Sequence, residues 1–556
     1  MNLKIATKSF YISLFIVLIS FQSCKQETPV ESNRAVVGIT SDVSTLSPLF
    51  AFNLDEGSIT ELLYLSLVQP DWNEAKSNLE IKPMLAKNWE WNKDSSSITF
   101  NLRDDVKWSD GQDCTAEDVV FSFDVYSDPE VQSRMYGEFG NFYRDKNKHI
   151  NLNKTFEILS QYSLKINFLP KSKPNLFAIA LPIIPEHVYD KIPRKDFATA
   201  KQSSAPVCNG SFLLSSWEKD QSLILKANKN SFLYNPGSIS EIIFKVIPDY
   251  NSRLTQLKNG EIDLMDLIRP DDINELKQSG NIKIVPVKGR EYDYIGWNNI
   301  DPESYNKKHK VIPNKFFGNP EVRKALTYAI NRNEILENYL NNYGELAVTP
   351  VTPIFKNSID SSIKAYPYDV KKAKELLAGA GWKDSNHDGI LDKNGVKFSF
   401  KLDIPSGNPR REFASTIVKN NLKEIGIEIT VEQLEMQVFM EDILNKRVNS
   451  YMASWYVPIP IELKPFWYSD LETTPMNLVS YQNQNIDKLL DEMGRKISNK
   501  QLNELYFKFQ EIIHDDEPVT FLYWMDDIVG CNKRINNIEI NPLGVIQKCW
   551  NWSINR

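Results

Sequence analysis

The sequence predicts an α/β protein whose sheets lie at the centres of at least two lobes, and three observations carry that expectation. The chain has 556 residues, several times the roughly 100–200 of a single domain, so more than one core can be buried. Stretches with apolar residues at every second position alternate with stretches in which they recur every three to four, the periods of half-buried strand and amphipathic helix. Near Gly289 the texture changes from strand-rich to long helical stripes with isolated strands.

The chain opens with Lys4 and Lys8 before an apolar run at 10–21, then Ser23 and Cys24. That run is well short of the roughly 20 residues a spanning helix needs, so it predicts a cleaved export signal. Cys24 stands where a lipoprotein signal places its acylated cysteine, with Phe21 and Gln22 departing from the usual small, aliphatic lead-in. Residues 25–34 are polar and contain a proline, as a tether between membrane and folded body should. The body begins with a strand at 35–39 and a loop through Ser44, Thr45, Leu46, Ser47 and Pro48. Ile98, Phe100 and Leu102 alternate with Thr99 and Asn101 as a half-buried strand does, and a further short strand through Trp108 ends at the turn of Asp110 and Gly111. Thr115 caps a helix with Val119, Val120, Phe123 and Tyr126 on one side. Strands follow at 164–168, 223–225 and 242–247. Beyond Gly289, Pro320 opens one helix, a second at 369–380 is closed by Gly381, and a third spans 412–425. Two apolar stripes close the series, one from Ile486 to Ile497 and one from Leu502 to Ile513.

Composition excludes several function classes. Acidic residues outnumber basic ones, 72 to 65, for a net charge of −7, which offers no basic field to a nucleic-acid backbone. The five histidines are scattered singly, and no Cys-x-x-Cys or His-Glu-x-x-His spacing builds a metal centre. Asp384, Asn386, Asp388 and Gly389 resemble the front of a calcium loop, but its twelfth position is Gly395 instead of the bidentate glutamate, so an acidic turn without metal is expected. Cys114, Cys208, Cys531 and Cys549 fit either disulfides or buried thiols in an exported chain. No Gly-x-Ser-x-Gly, phosphate loop or nominated carboxylate pair supports catalysis.

Five blocks in order carry a family resemblance. They are PMLAKNW at 83–89 with ITFNLRDDVKWSDG at 98–111 and TAEDV at 115–119, APVCNGSF at 205–212, IPD at 247–249 with NGEID at 259–263, VRKALTYAINR at 322–332, and AKELL at 373–377 followed by Gly381 and Trp382. Together they resemble the bacterial extracellular solute-binding proteins of family 5, which serve ABC importers for oligopeptides, dipeptides and nickel. The resemblance implies a class II-like, cluster C periplasmic-binding-protein hinge fold, with two α/β lobes and a discontinuous first lobe. Lobe I would take 35–289, including an extra subdomain, and lobe II 290–521. Residues 522–556 would return to lobe I, and a strand at 292–299 would be one crossing between them.

What the resemblance implies about binding follows. Ligand contacts fall on Ser44, Thr45 and Leu46, on Trp297 and Asn299 of the crossing, and on Trp455 and Tyr456 of the second lobe. Ser406, Asn408 and Arg410, at a helix start, offer amides and a guanidinium to a ligand carboxylate, and Trp467 adds an aromatic wall. Peptide-binding relatives carry an aspartate-rich stretch where this chain has SWYVPIP at 454–460 with only Glu462 near, so the usual anchor for a peptide amino terminus is absent or displaced. The expected protein is a monomeric lipoprotein of the periplasm or cell surface, anchored to the membrane through Cys24. It delivers a short peptide or similar small solute to a permease, without cofactor, metal or catalytic residue. A surface lipoprotein holding glycan or a partner protein, and a hydrolase, are the alternatives.

Overall fold

The computed structural model describes residues 33–555 except 171, 173, 175 and 496. The expected export signal, Cys24 and the expected tether up to residue 32 lie outside the described residues. Mixed α/β architecture is organised by one 11-stranded sheet. The chain enters through β1 (Arg34–Ile39) and α1 (Leu54–Leu63) and builds a separate four-stranded sheet from β2 (Ala86–Trp91), β3 (Ser97–Leu102), β4 (Phe156–Ser160) and β5 (Ser163–Asn167), with α2 (Ala116–Ser127) between β3 and β4. It returns to the large sheet in β6 (Phe212–Glu218), β7 (Ser222–Ala227) and β8 (Glu241–Val246), followed by α3 (Tyr250–Asn259) and the short β9 (Leu264–Met265). The long strand β10 (Ile282–Trp297) then leads into α4 (Pro320–Ala329), α5 (Val370–Gly379), β11 (Ser399–Pro405), α6 (Pro409–Glu424), β12 (Glu428–Leu434), α7 (Met436–Leu444) and β13 (Ser450–Tyr456). Helices α8 (Gln484–Met493) and α9 (Asn499–Asp516) precede the last long strand, β14 (Val519–Asn532).

Strand order in the large sheet is β12-β11-β13-β10-β14-β9-β1-β8-β7-β6, with a short strand at Gly344–Leu346 added to β14 off this path. Everything hangs on β10 and β14, which pair antiparallel from Ile282 opposite Asn532 to Gly296 opposite Val519. Their apolar residues divide between cores. Ile282, Ile528, Val529 and Cys531 pack with β1, β7, β8 and β9, whereas Ile295, Trp297, Leu522 and Met525 pack with α4, α6 and β11. A further aromatic core lies on the second side, around Tyr292, Tyr294, Tyr451, Phe509 and Trp524. Along β14, Leu522 and Met525 thus pack with one core and Ile528, Val529 and Cys531 with the others.

Local chemistry explains most element ends. Asp118 accepts from the Thr115 N–H (2.8 Å) and, with its other oxygen, from the Glu186 N–H (2.9 Å), while the Trp108 indole N–H reaches it at 3.3 Å. One carboxylate thus caps α2 and ties it to the preceding block. Trp108 itself is buried in a turn instead of a strand, since pairing there is one bridge between Lys107 and Asp113. Asn408 caps α6, which begins at Pro409, three residues before the expected start, because proline at the first helical position needs no N–H partner. Strand β10 starts ten residues before the expected 292; Pro286 and Gly289 break its pattern in sequence, yet Pro286 lies opposite Ile528 within the ladder. Stripe residue Ile497 falls outside α8, which ends at Met493. All four described cysteines are buried and unpaired.

Candidate ligand cleft at the strand crossing

Where β10 and β14 pass between the two bodies their pairing slips: Lys288 faces Asp526 and Tyr292 faces Trp524, so four residues of β10 advance against two of β14. The slack is taken up at Gly289, Arg290 and Glu291. A Cβ on Gly289 would stand 2.2 Å from the Met525 carbonyl oxygen, so only glycine lets the strands cross this closely. Arg290 folds beneath Tyr456, donating to its hydroxyl at 2.5 Å with the guanidinium 4.4 Å from the ring centroid.

Beside this crossing lies a cleft of about 630 Å³. Its walls come from the C-terminal end of β1 (Val37 to Ser41), the start of α1, the turn after β9, the crossing itself, Tyr456, and the C-terminal segment 540–546. Four large apolar side chains stand open in it, Phe52 (72% exposed), Leu54 (64%), Leu267 (61%) and Tyr456 (42%). Leu267 holds φ +51°, a conformation unusual for a bulky residue and most often retained at binding sites. Four carboxylates also line the walls, Asp55, Asp266, Glu291 and Asp527, and no lysine, arginine or histidine does. Burial pushes Asp266 up to about 6, helped by the neighbouring Asp55 charge and opposed by Arg253. Asp527 likewise rises to about 6 through burial and then Glu291, against Arg290.

The residues singled out from sequence are placed as follows. Tyr456 lines the cleft. Ser44 gives its N–H and hydroxyl to Glu56 (2.8 and 2.6 Å), Thr45 accepts from the Ser47 N–H (3.0 Å), and Leu46 is fully buried, so this loop is locked on α1 while Thr40 and Ser41 face the cleft instead. Trp297 is fully buried in the second core and donates to Thr520 at 3.0 Å. Asn299 donates to the Trp297 and Pro518 carbonyls (2.7 and 3.3 Å). Ser406 gives its N–H to the Leu434 carbonyl, and Asn408 is the α6 cap. Arg410, expected free for a ligand carboxylate, is taken up by Asp293 (2.7 and 3.1 Å) and Glu291 (3.4 Å). Trp455 packs edge-on against Phe466, 4.5 Å between centroids, and Trp467 is buried against Tyr481 and Phe509. In the acidic turn, Asp388 pairs with Lys397 and Asp392 accepts from Ser385, and among the described residues no group of metal-ligating side chains is assembled.

Comparison with known proteins decides the family. Residues 80–477, well over half of the chain, match the bacterial extracellular solute-binding proteins, family 5 Middle. The chain belongs to that family. The oligopeptide-binding protein AppA of Bacillus subtilis is 28% identical over 529 residues, covering 94% of this chain and 92% of the relative. Its structure in complex with a nonapeptide superposes with a TM-score of 0.72 at 27% identity, covering 94% of this chain and 99% of that one. NikZ of Campylobacter jejuni in complex with Ni(L-His) gives the same TM-score of 0.72 at 25% identity, covering 94% of this chain and 99% of that one.

As a family 5 solute-binding protein the chain needs its crossing intact, and two substitutions separate scaffold from cleft. Gly289→Ala is expected to cost about 3 kcal/mol, the upper end of overpacking penalties, because the obstructing Met525 oxygen is backbone. Chemical denaturation measures it. Trp297→Phe is expected to lower stability by about 1–2 kcal/mol through the lost hydrogen bond and volume, and to leave solute affinity unchanged, which calorimetry checks against the wild type.

Proposed function

We propose that the protein captures short peptides in the cleft beside the strand crossing and hands them, chemically unchanged, to an ABC importer. The observation that carries this reading is the cleft itself, whose volume of about 630 Å³ lies within the roughly 300–1,000 Å³ of small-ligand sites. Its open apolar side chains, Phe52, Leu54, Leu267 and Tyr456, suit side chains of varied sequence, and main-chain groups at the exposed end of β1 suit an extended backbone. The nonapeptide held by AppA supports the same choice. The hinge is the slipped pairing at Gly289, Arg290 and Glu291: few residues there absorb the dihedral change, and the solute supplies the differential energy that favours the closed state. Lobe I is formed around β1 and β6–β9, lobe II around β11–β13, and the chain returns to lobe I beyond Met525. Cys24 carries the lipid anchor, and residues 25–34 tether the body to the membrane at the periplasmic or outer cell surface. The protein acts as a monomer at the permease.

Mass spectrometry of solutes retained by the chain purified from its own cells tests the reading. Retained short peptides are the expected result. Retained oligosaccharide or metal chelate without peptide would contradict it.

A further inference from the structure

The two bodies meet away from the crossing as well as at it. A hairpin of the first body, Val68–Asn73 paired with Asn78–Pro83, carries Trp72, whose ring meets Phe355 of the second body edge-on, 5.6 Å between centroids. Beside it the Asn357 side-chain amide donates to the Lys76 carbonyl in the turn of the hairpin (3.4 Å). Each half is fixed to its own body. Val68 packs in the first core, Asp71 is paired with Lys548 of the C-terminal segment at 2.8 Å, and the Trp72 indole N–H donates to Glu74 at 2.8 Å, which orients the ring. On the other side the segment 349–360 is tied to α9 by Gln510, which is fully buried. Gln510 accepts from the Thr349 hydroxyl and the Asp360 N–H, each at 3.2 Å, and donates to the Ser358 carbonyl at 2.8 Å. Val351 of the same segment packs in the aromatic core around Tyr292 and Phe509.

We infer that Trp72 and Phe355 form a latch between the two bodies, a pair of positioning residues that favours the closed arrangement and so tightens solute binding without touching the solute. This rests on the solute-binding reading above and deepens it. Side chains alternate across a sheet, and in β10 and β14 Val287, Asp527 and Val529 face the cleft. Lys283, Val285 and Cys531, on the same alternation, line the groove in which Trp72 sits, and groove and cleft share Ile540 and Asn541. The latch therefore lies on the cleft side of the sheet, whereas Ile282 and Ile528 pack with α3 on the other. Rotation at the slipped pairing that opens the cleft parts whatever bridges the bodies on that side, and rotation that closes it brings the bridge together. Phe355 is buried in the arrangement described, so parting the pair also returns apolar ring surface to water. Neither ring lines the cleft. The contact thus acts on the balance between open and closed bodies, and the apparent affinity follows the closed population.

The test uses the full chain with nitroxide labels replacing the exposed Glu138 and Glu462, one on each body, and the variants Trp72→Ala, Phe355→Ala and the two combined. Without solute, pulsed dipolar spectroscopy is expected to show a larger long-distance fraction in each variant than in the parent. With the tetrapeptide Ala-Phe-Leu-Ala as probe, calorimetry is expected to show either substitution weakening binding roughly three- to tenfold, the range an aromatic pair supplies. The double variant should lose no more than a single one, because each single change already removes the pair. Trp72→Phe, which keeps an aromatic edge against Phe355, should retain most of both signals. If one alanine variant fails to fold, the other carries the comparison, since it removes the same contact from the opposite body. An unchanged or smaller long-distance fraction, or losses that add in the double variant, overturns the inference while leaving solute capture intact. If the tetrapeptide does not bind the parent, the solute-free distances decide the latch by themselves, and solutes retained from the cell decide the solute-binding reading separately.

Discussion

Asp293→Ala is expected to lower the unfolding free energy by about 3–5 kcal/mol, the cost of stripping a buried ion pair of one partner. Asp293 is fully buried on β10 and accepts from Arg410 (2.7 and 3.1 Å) and from the Tyr523 hydroxyl (2.9 Å), with Arg411 a further 3.7 Å away. Removing it strands Arg411, which is 7% exposed and already has an unpartnered Nε. Arg410 would keep only Glu291. The loss should appear in urea unfolding as a lower midpoint at unchanged slope. A loss below about 1 kcal/mol, typical of an exposed pair, would show that Arg410 and Arg411 find water or ligand instead, and would return Arg410 to the list of binding residues.

Glu517→Gln is expected to stabilise the protein at alkaline pH by up to roughly 5 kcal/mol, with almost no effect near pH 4.5. Glu517 caps the end of α9 in the left-handed region at φ 42°, is 2% exposed, and has one unpartnered oxygen. Burial pushes its carboxyl from 4.5 up to about 8, outweighing the nearby Arg332, the Thr327 hydroxyl and Arg323. Because the folded value lies above the unfolded one, its contribution is fully present below about 4.5 and is lost as pH rises to about 8. Glutamine stays neutral in both states and keeps an acceptor for Thr327, so that decline should disappear. Unfolding free energies of both proteins from pH 4 to pH 9 check it, and parallel curves would contradict it.

These buried groups also show why the fold was legible in sequence and the cleft was not. The blocks that carried the family resemblance are scaffold. Arg323 of the block at 322–332 binds the Phe317, Asp516 and Glu517 carbonyls, and Arg332 binds those of Ala347, Phe521 and Tyr366. Asp263 of the block at 259–263 holds Arg534 and the Val36 N–H. Such residues fix strand order and helix placement, and their spacing is local enough to recognise. The cleft is assembled from single residues hundreds of positions apart, Phe52 and Asp55, Asp266 and Leu267, Glu291, Tyr456 and Asp527, and nothing distinguishes two of the 72 acidic residues until β14 lies against β9. Asp266 does follow the recognised block at 259–263 by three positions, the one signal that pointed to it. Arg410 shows the converse: Asp293, which holds its guanidinium, lies 117 positions earlier, so the spacing around the helix start carries no sign of that bond. Trp297, where the resemblance places a ligand contact, has its indole packed in the second core against Phe317 and Phe400.

Closure of two bodies over a solute is measured most directly by the distance between them. Glu138 on the first and Glu462 on the second are both exposed, and partial desolvation and then the charge of Glu138 raise the Glu462 carboxyl. Nitroxide labels at Glu138→Cys and Glu462→Cys, read by pulsed dipolar spectroscopy, avoid the four buried native thiols. Saturating peptide should convert a long, broad distance distribution into a short, narrow one. An identical distribution with and without bound peptide would contradict the hinge.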